Sequence, residues 1–320
     1  MSAKFGPAGN SESFSKIHKS SLAAPKWIAE FGLDCYEYQC GKGVHVGEET
    51  CRKLGENARA AGISLSLHAP YFINLANPDP EAVQKTIGYV TAACQAASWM
   101  GAERVVIHSG ALMKRSRREA QEIALKTLPQ VIRACDGQGF AHIALCPETM
   151  GKINQLGDLD EVLELCTLDE RLLPCIDFGH LYARSLGADD GPEVFERMLD
   201  RVEEVLGPDR AGRFHSHFSH IEFTPKGGEK CHRTFADDGG FGPDWTPLAQ
   251  EIARRNWSPT FICESAGTQA EDALEMKKIY QRFLPEQWPG AFAGGPIADG
   301  AARLRRTSIF AQQKSWHRRN

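Results

Sequence analysis

The amino-acid sequence predicts a single (β/α)8 TIM barrel, a fold of the α/β class, and three observations lead to it. Eight short β-rich runs recur along the chain, and each precedes a longer stretch with helical periodicity. These units spread over roughly 285 residues, a usual length for such a barrel. No G-x-G-x-x-G fingerprint follows the first run, so a doubly wound nucleotide-binding sheet fits less well.

The predicted strands, in chain order, are residues 4–6, 35–39, 64–68, 104–108, 142–146, 174–177, 213–218 and 260–264. Apolar side chains spaced three or four residues apart predict a helix over 80–100, with one stripe that packs against the sheet. The same spacing predicts helices over 119–134 and 159–167. Gly62 and Gly101 mark helix ends, because glycine adopts the left-handed cap conformation at low cost.

We expect one barrel domain over residues 1–288 and a tail of different composition at 289–320. Glycine and alanine dominate residues 290–302, and the remainder of the tail carries six lysine or arginine side chains and no acidic one. This basic tail has two interpretations, a solvated terminus or an arm that contacts nucleic acid.

Composition excludes several classes of protein. The chain is 42% hydrophobic and 24% charged, and it has neither an apolar run of about 18 residues nor a signal-like start, so we expect a cytoplasmic protein. We also expect it to be a monomer. The ten cysteines are scattered without a C-x-x-C pair, which argues against a disulfide framework or a zinc finger. A net charge of −4 argues against coating nucleic acid by bulk charge, but local basic patches remain possible.

Potential metal ligands stand at or just after the ends of six consecutive predicted strands. They are His68, His108, Glu148, Asp177 with His180 beyond it, His217 and Glu264. The carboxyl ends of barrel strands meet at one rim. Like charges of these side chains would be buried close together there, at a high cost, unless cations neutralised them. Mixed nitrogen and oxygen donors suit Zn²⁺, and also Mn²⁺ or Fe²⁺. More than four ligands predict at least two ions bridged by Glu148, an arrangement suited to phosphodiester hydrolysis.

Several motifs resemble those of endonuclease IV, the zinc-dependent apurinic/apyrimidinic endonuclease family. They are L-H-A-P-Y-F-I-N-L at 67–75, V-I-H-S-G at 106–110, P-E-T-M-G at 147–151, C-I-D-F-G-H at 175–180 and C-E-S at 263–265. The resemblance extends from about residue 60 to 270 and includes order and spacing. It implies a (β/α)8 barrel and a hydrolase that cuts double-stranded DNA 5′ to abasic sites in base-excision repair.

By this resemblance three zinc ions are held by three ligand sets. The sets are His68, His108 and Glu148; then Glu148, Asp177, His217 and Glu264; then His180, His232 and an aspartate two residues before His232. Glu148 and Glu264 would also be catalytic, the first by bridging ions and the second by orienting the nucleophile.

The sequence departs from the family pattern at the third set, where Lys230 replaces the aspartate. Three alternatives stay open. Glu229 could supply the carboxylate, Lys230 could contact a substrate phosphate, or only two ions could bind. We expect a weakened or rearranged third site, because a cation at this position removes a ligand and adds repulsion.

Candidate substrate contacts lie on the loops of the same rim. The resemblance places Tyr71 near an extrahelical nucleotide, and its alternative role is packing at the rim. Arg115 and Arg117 belong to a basic run at 114–118 that could bind the DNA backbone or start a solvated helix. His215 lies two residues before His217, so on a strand it shares that face and could orient a metal ligand.

Two rival functions remain. Sugar isomerases and epimerases of the xylose-isomerase-like type hold one divalent ion with a Glu, Asp, His, Glu set, which Glu148, Asp177, His217 and Glu264 would satisfy. The additional histidines would then lack a collective role, which favours the nuclease. The other rival is a non-enzymatic metal-binding or DNA-binding barrel in which Lys230 marks lost catalysis.

Overall fold

Eight parallel strands form a barrel, which confirms the predicted fold class. The structure, a computed structural model, describes residues 2–285, and the predicted basic tail at 289–320 lies outside them. The barrel strands are β1 (Lys4–Pro7), β2 (Cys35–Gln39), β3 (Ser64–His68), β4 (Arg104–His108), β5 (Ala144–Glu148), β6 (Cys175–Asp177), β7 (His215–Phe218) and β10 (Thr260–Cys263). Their spatial order is β1-β10-β7-β6-β5-β4-β3-β2, and a parallel bridge between Ala8 and Glu37 brings the two ends together.

Helices follow most strands. They are α1 (Glu12–Ile17), α2 (Ala24–Phe31), α3 (Glu48–Ala61), α4 (Pro80–Met100), α5 (Arg117–Gly137), α6 (Leu159–Cys166), α7 (Phe178–Arg184), α8 (Pro192–Ala211, kinked at Gly207), α9 (Trp245–Arg255) and α10 (Gln269–Gln281). Side-chain oxygens of Asp79, Ser116 and Asp158 accept backbone N–H groups at the starts of α4, α5 and α6, which satisfies donors without helical partners. Gly62 and Gly101 end α3 and α4 in the left-handed conformation, as the sequence predicts.

Aromatic side chains fill one side of the core between strands and helices. Phe5 on β1 stacks on Phe261 of β10 with 5.6 Å between ring centroids. Trp245 of α9 meets the same two rings edge-on, at 5.9 and 4.8 Å. Each such ring, once buried, contributes about 1.5–3 kcal/mol, so this cluster fixes the β1 and β10 seam of the barrel.

An antiparallel hairpin, absent from the sequence prediction, follows β7. It consists of β8 (His220–Thr224) and β9 (Gly228–Arg233), and both strands pack against α7. The predicted fifth strand was also placed two residues early, because Ile143 donates its N–H to the carbonyl of Phe140 in a turn. Among residues 2–285, no helix is both long and apolar enough to cross a membrane.

Candidate metal centre

The predicted ligands meet at the carboxyl ends of the strands. His68, His108, Glu148 and Asp177 are the last residues of β3, β4, β5 and β6. His217 lies within β7, and Glu264 directly follows β10. His180 and His232 come from α7 and β9. Members of this set line a cavity of about 440 Å³ at the rim, together with Tyr71, Met150, Lys152, Gln155 and Glu229.

Glu148 is the centre of the cluster and is almost completely buried. One of its oxygens, Oε2, lies 3.3 Å from Nε2 of His68 and 3.4 Å from Nε2 of His108. The other oxygen, Oε1, lies 3.1 Å from Nδ1 of His217. The two oxygens therefore face two different groups of potential ligands, as a bridging carboxylate must.

A second group contains Glu148, Asp177, His217 and Glu264, whose ligand atoms lie within 4.8 Å of one another. Asp177 uses Oδ1 to accept the N–H of His180 at the start of α7, at 2.7 Å. Its other oxygen, Oδ2, is buried and accepts no hydrogen bond from any described residue, although Nδ1 of His180 lies 3.2 Å away. Such an oxygen is costly to bury, and a cation would satisfy it.

A third group joins His180, His232 and Glu229. Nε2 of His180 lies 3.6 Å from Oε2 of Glu229. Lys230 is not part of this group, because its ammonium pairs with Glu222 on β8. The structure therefore does not bring Lys230 into the cavity, and the carboxylate that meets the two histidines belongs to the preceding residue.

Hydrogen bonds fix the imidazole rings so that one nitrogen of each points into the cluster. Nδ1 of His68 bonds to the carbonyl of Ala69, and Nδ1 of His180 to that of Thr149, both at 2.8 Å. Nδ1 of His232 lies 2.8 Å from Oγ of Ser219. A histidine whose other nitrogen donates to a neighbour is oriented and made more basic, as metal-binding histidines usually are.

Glu37 on β2 completes the arrangement, and the sequence interpretation missed it. It is fully buried, and its carboxylate accepts hydrogen bonds from Nε2 of His217, Nε2 of His215 and Oγ of Ser66, each at 2.9 Å. His215 therefore shares a face with His217, as predicted, and both rings contact the same carboxylate. The only signal in the sequence is an acidic residue between Tyr36 and Tyr38 in a β-rich run.

The carboxylates determine the charge state of the cluster. Burial favours the neutral form of Glu148, but His217 and His68 hold its pKa well below its ordinary value. Burial opposes protonation of His180, yet Asp177 and Glu229 raise its pKa to about 9. The cluster thus attracts positive charge, which protons or metal cations can provide.

The donor set fits divalent metal ions. Two ligands of one tetrahedral zinc ion are about 3.3 Å apart, given metal–ligand distances of about 2.0 Å. The nitrogen–oxygen separations in the cluster run from 3.1 to 4.0 Å. Most of these separations are too long for good hydrogen bonds and suit atoms that share a cation. Cys175 lies beside His215 and His217, and burial raises the pKa of its thiol well above the ordinary value.

Tyr71 borders the cavity on the loop after β3. Its ring stacks on His108 with 5.2 Å between centroids and meets His68 edge-on at 5.3 Å. Gly41 lies against the other part of the ring, where a Cβ atom would come within 2.4 Å of it. The ring is therefore held in place, although about half of the residue is exposed.

The two predicted arginine contacts differ in their surroundings. Arg117 forms a bidentate ion pair with Glu161, at the start of α6. Its guanidinium also donates to the backbone carbonyls of Ile153 and Gln155. These contacts hold the loop between β5 and α6 in place. Arg115 is partly exposed on the loop after β4, at the rim that carries the cavity.

Comparisons with known proteins agree with this architecture. A family model described as a xylose isomerase-like TIM barrel matches residues 25–281. An uncharacterised protein of Methanocaldococcus jannaschii is 32% identical over 250 residues, which are 78% of this chain and 88% of that protein. A probable endonuclease 4 of Mycoplasma genitalium is 32% identical over 143 residues, or 43% of this chain, and the match spans about half of that protein, 47%. The predicted resemblance to endonuclease IV is confirmed by such relatives.

Solved structures show the same barrel. A D-tagatose 3-epimerase-like protein superposes with a TM-score of 0.64 at 18% identity, over 88% of this chain and 96% of the other. Endonuclease IV from Thermus thermophilus superposes with a TM-score of 0.57 at 19% identity, over 82% and 94%. At these identities the two structures support the fold alone, and they include both chemistries weighed from the sequence.

Proposed function

The chain belongs to the xylose isomerase-like TIM barrel family, and we propose that within it the protein is a metal-dependent endonuclease that cuts DNA 5′ to abasic sites. The relatives named probable endonuclease 4 support this choice, as do the motifs that surround the ligands. The substrate would be double-stranded DNA in base-excision repair, and the ions would be zinc, with manganese as an alternative.

One observation carries the proposal: the number of histidines around Glu148. An isomerase that holds one ion uses a set such as Glu148, Asp177, His217 and Glu264, and these atoms do form one compact group. Beyond that set, His68 and His108 lie close to Oε2 of Glu148, the oxygen that does not face His217. A single ion gives these imidazoles no shared role, whereas two or three ions use all of them.

The protein's own residues have distinct parts in this mechanism. When bound, divalent ions would supply positive charge that activates water and stabilises charge on the phosphate. Glu148 would be a ligand to more than one ion, because potential ligands surround both of its oxygens. Glu264 lies 3.5 Å from Nδ1 of His217 and 4.0 Å from Nε2 of His232, so it lies between two ligand groups and is suited to orient the attacking water.

Two side chains at the cavity wall are suited to hold the substrate. Lys152, on the loop after β5, is a cationic residue at the lining of the cavity, and we assign it to the phosphodiester. Tyr71 presents a fixed aromatic face beside His108, on which a sugar or an unstacked base can rest. Arg115, farther along the rim, would contact the DNA backbone.

The decisive test is cleavage of a labelled duplex with one abasic-site analogue. We expect metal-dependent incision 5′ to the lesion, which leaves a 3′-hydroxyl, and no incision of the undamaged duplex. Glu148→Gln should reduce the rate at least about 100-fold, since even residues that only orient metal ligands cost 10–100-fold. Glu193→Gln, the same change at an exposed position on α8, is the matched control.

The sugar epimerase remains the second candidate, because its four ligands form one compact group and three of them are buried. It predicts one tightly held ion per chain and turnover of ketohexoses. A protein that epimerises such sugars and leaves the abasic duplex intact would overturn the nuclease proposal.

A further inference from the structure

We infer that a one-residue β-bulge at Lys230 rebuilds the third cation site with Glu229 as its carboxylate ligand. The inference deepens the proposed function and rests on it for the identity of the centre. It concerns this chain alone, because a lysine occupies the position two residues before His232.

The register of the hairpin explains how Glu229 reaches the site. In a regular strand, side chains alternate between faces, so Glu229 and His232, three residues apart, would point in opposite directions. In the hairpin, Glu222 pairs with Cys231 and Phe223 pairs with Glu229, which leaves Lys230 without a partner residue. This extra residue is a bulge and resets the alternation. Glu229 therefore shares a face with His232.

The barrel holds this face against the cavity. The backbone N–H of Glu229 donates to the carbonyl of Gly151 at 3.1 Å, on the loop that follows β5. A Cβ atom at Gly151 would lie 2.7 Å from Cβ of Glu229 and 2.9 Å from Cδ2 of His180. Only glycine permits so close an approach without a shift. The loop after β5, the hairpin and α7 therefore pack together at the place where the Glu229 carboxylate approaches the His180 imidazole.

Charge pairing on the opposite face supports the same assignment. Glu222 binds the ammonium of Lys230 and the guanidinium of Arg233. The lysine charge is thereby neutralised away from the cavity. The carboxylate of Glu229 remains directed at His180, which is buried, and a divalent cation between them would satisfy both groups.

Counting bound zinc ions tests the inference without any nucleic acid. The purified protein is saturated with Zn²⁺, dialysed, and its zinc content measured by mass spectrometry. We expect three ions per parent chain and two per Glu229→Gln chain. Lys230→Ala, a change in the same strand, should keep three. Deletion of Lys230 should also keep three, because glutamate then stands two residues before histidine in an unbulged strand.

Cobalt substitution gives an independent readout. Replacement of zinc by Co²⁺ should show a visible absorption band that weakens in Glu229→Gln and stays unchanged in Lys230→Ala. Melting curves identify any variant that fails to fold, and Asp237→Asn, beyond the hairpin, controls for removal of a carboxylate.

The results separate this inference from the proposed function. Equal zinc content and equal cobalt spectra in the parent and Glu229→Gln would overturn the inference, whether the shared content is two or three ions. Loss of one ion in Glu229→Gln would support it even if the parent failed to cut abasic DNA. That failure would count against the nuclease alone.

Discussion

Replacement of Glu37 by glutamine should weaken metal binding although Glu37 touches no ion. Its carboxylate accepts hydrogen bonds from Ser66, His215 and His217, whereas a glutamine side chain offers one acceptor oxygen and an amide that donates. With that oxygen toward His217 and Gln39, the amide faces Ser66 and His215, and His215 must change tautomer to accept from it. Because His217 must keep Nδ1 free for the cluster, its Nε2 must carry the proton. The glutamine oxygen must therefore face His217, which then donates to a neutral amide instead of a carboxylate.

The size of the effect follows from the burial and the number of contacts. Exchange of a charged acceptor for a neutral one in a buried hydrogen bond costs about 1 kcal/mol of stability, since a charged partner contributes about 1.5–3 kcal/mol and a neutral one about 0.5–1.5. Loss of a carboxylate that orients a metal-binding histidine costs about 10–100-fold in metal affinity, which corresponds to about 1.4–2.7 kcal/mol. We therefore expect Glu37→Gln to lower both the free energy of unfolding and the zinc affinity.

Chelator competition measures the zinc affinity, and urea unfolding of the metal-free protein measures stability. Ser66→Ala is the matched control, since it removes one hydrogen bond to Glu37 and leaves the charge. It should cost about 1.5–3 kcal/mol in stability, because the acceptor is charged, without changing the zinc affinity. Unchanged zinc affinity in Glu37→Gln, together with reduced stability, would show that Glu37 supports only the fold and would refute the reasoning.

Other predictions concern the rim and the thiols. Arg115→Ala should reduce the slope of log affinity for DNA against log salt concentration by about 1. Arg117→Ala should leave that slope unchanged and lower the free energy of unfolding by about 1–2 kcal/mol, because its ion pair with Glu161 is partly exposed. The reverse pattern would contradict both assignments. Cys231 is partly exposed and the other nine cysteines are buried, so one thiol should react with a disulfide reagent in the folded protein and ten after unfolding. Burial and Glu222 raise the pKa of Cys231; its thiolate fraction, and hence the labelling rate, should increase as pH rises. Rapid labelling of several thiols in the folded state would show that the core is more open than described.

The sequence was sufficient to predict which side chains of the first two groups meet at the rim, for a geometric reason. A closed barrel brings the carboxyl ends of all its strands to one rim, so identifying strand ends also identifies neighbours in space. His68, His108 and Asp177 end their strands as expected. Even the two-residue error at the fifth strand did not matter, because Glu148 follows the predicted run and lies on the same rim.

Glu37 could not be found in this way. An acidic residue in a short strand usually faces solvent, since charged groups are rarely buried without partners. Its partners, His215 and His217, are about 180 residues away and become neighbours only when β2 and β7 face each other across the barrel. Local spacing carries no information about contacts across the lumen, so burial of this carboxylate is visible only in the folded structure.

The third ligand group depends on structure of another kind. His180 and Glu229 lie on α7 and β9, beyond the strand ends, and their separation is set by the hairpin register rather than by barrel closure. In a hairpin a shift of one residue moves every following side chain to the other face. A sequence motif with fixed spacing therefore fails in a bulged strand. Lys230, found where the motif has a carboxylate, marks the position of the bulge and does not imply that the carboxylate is lost.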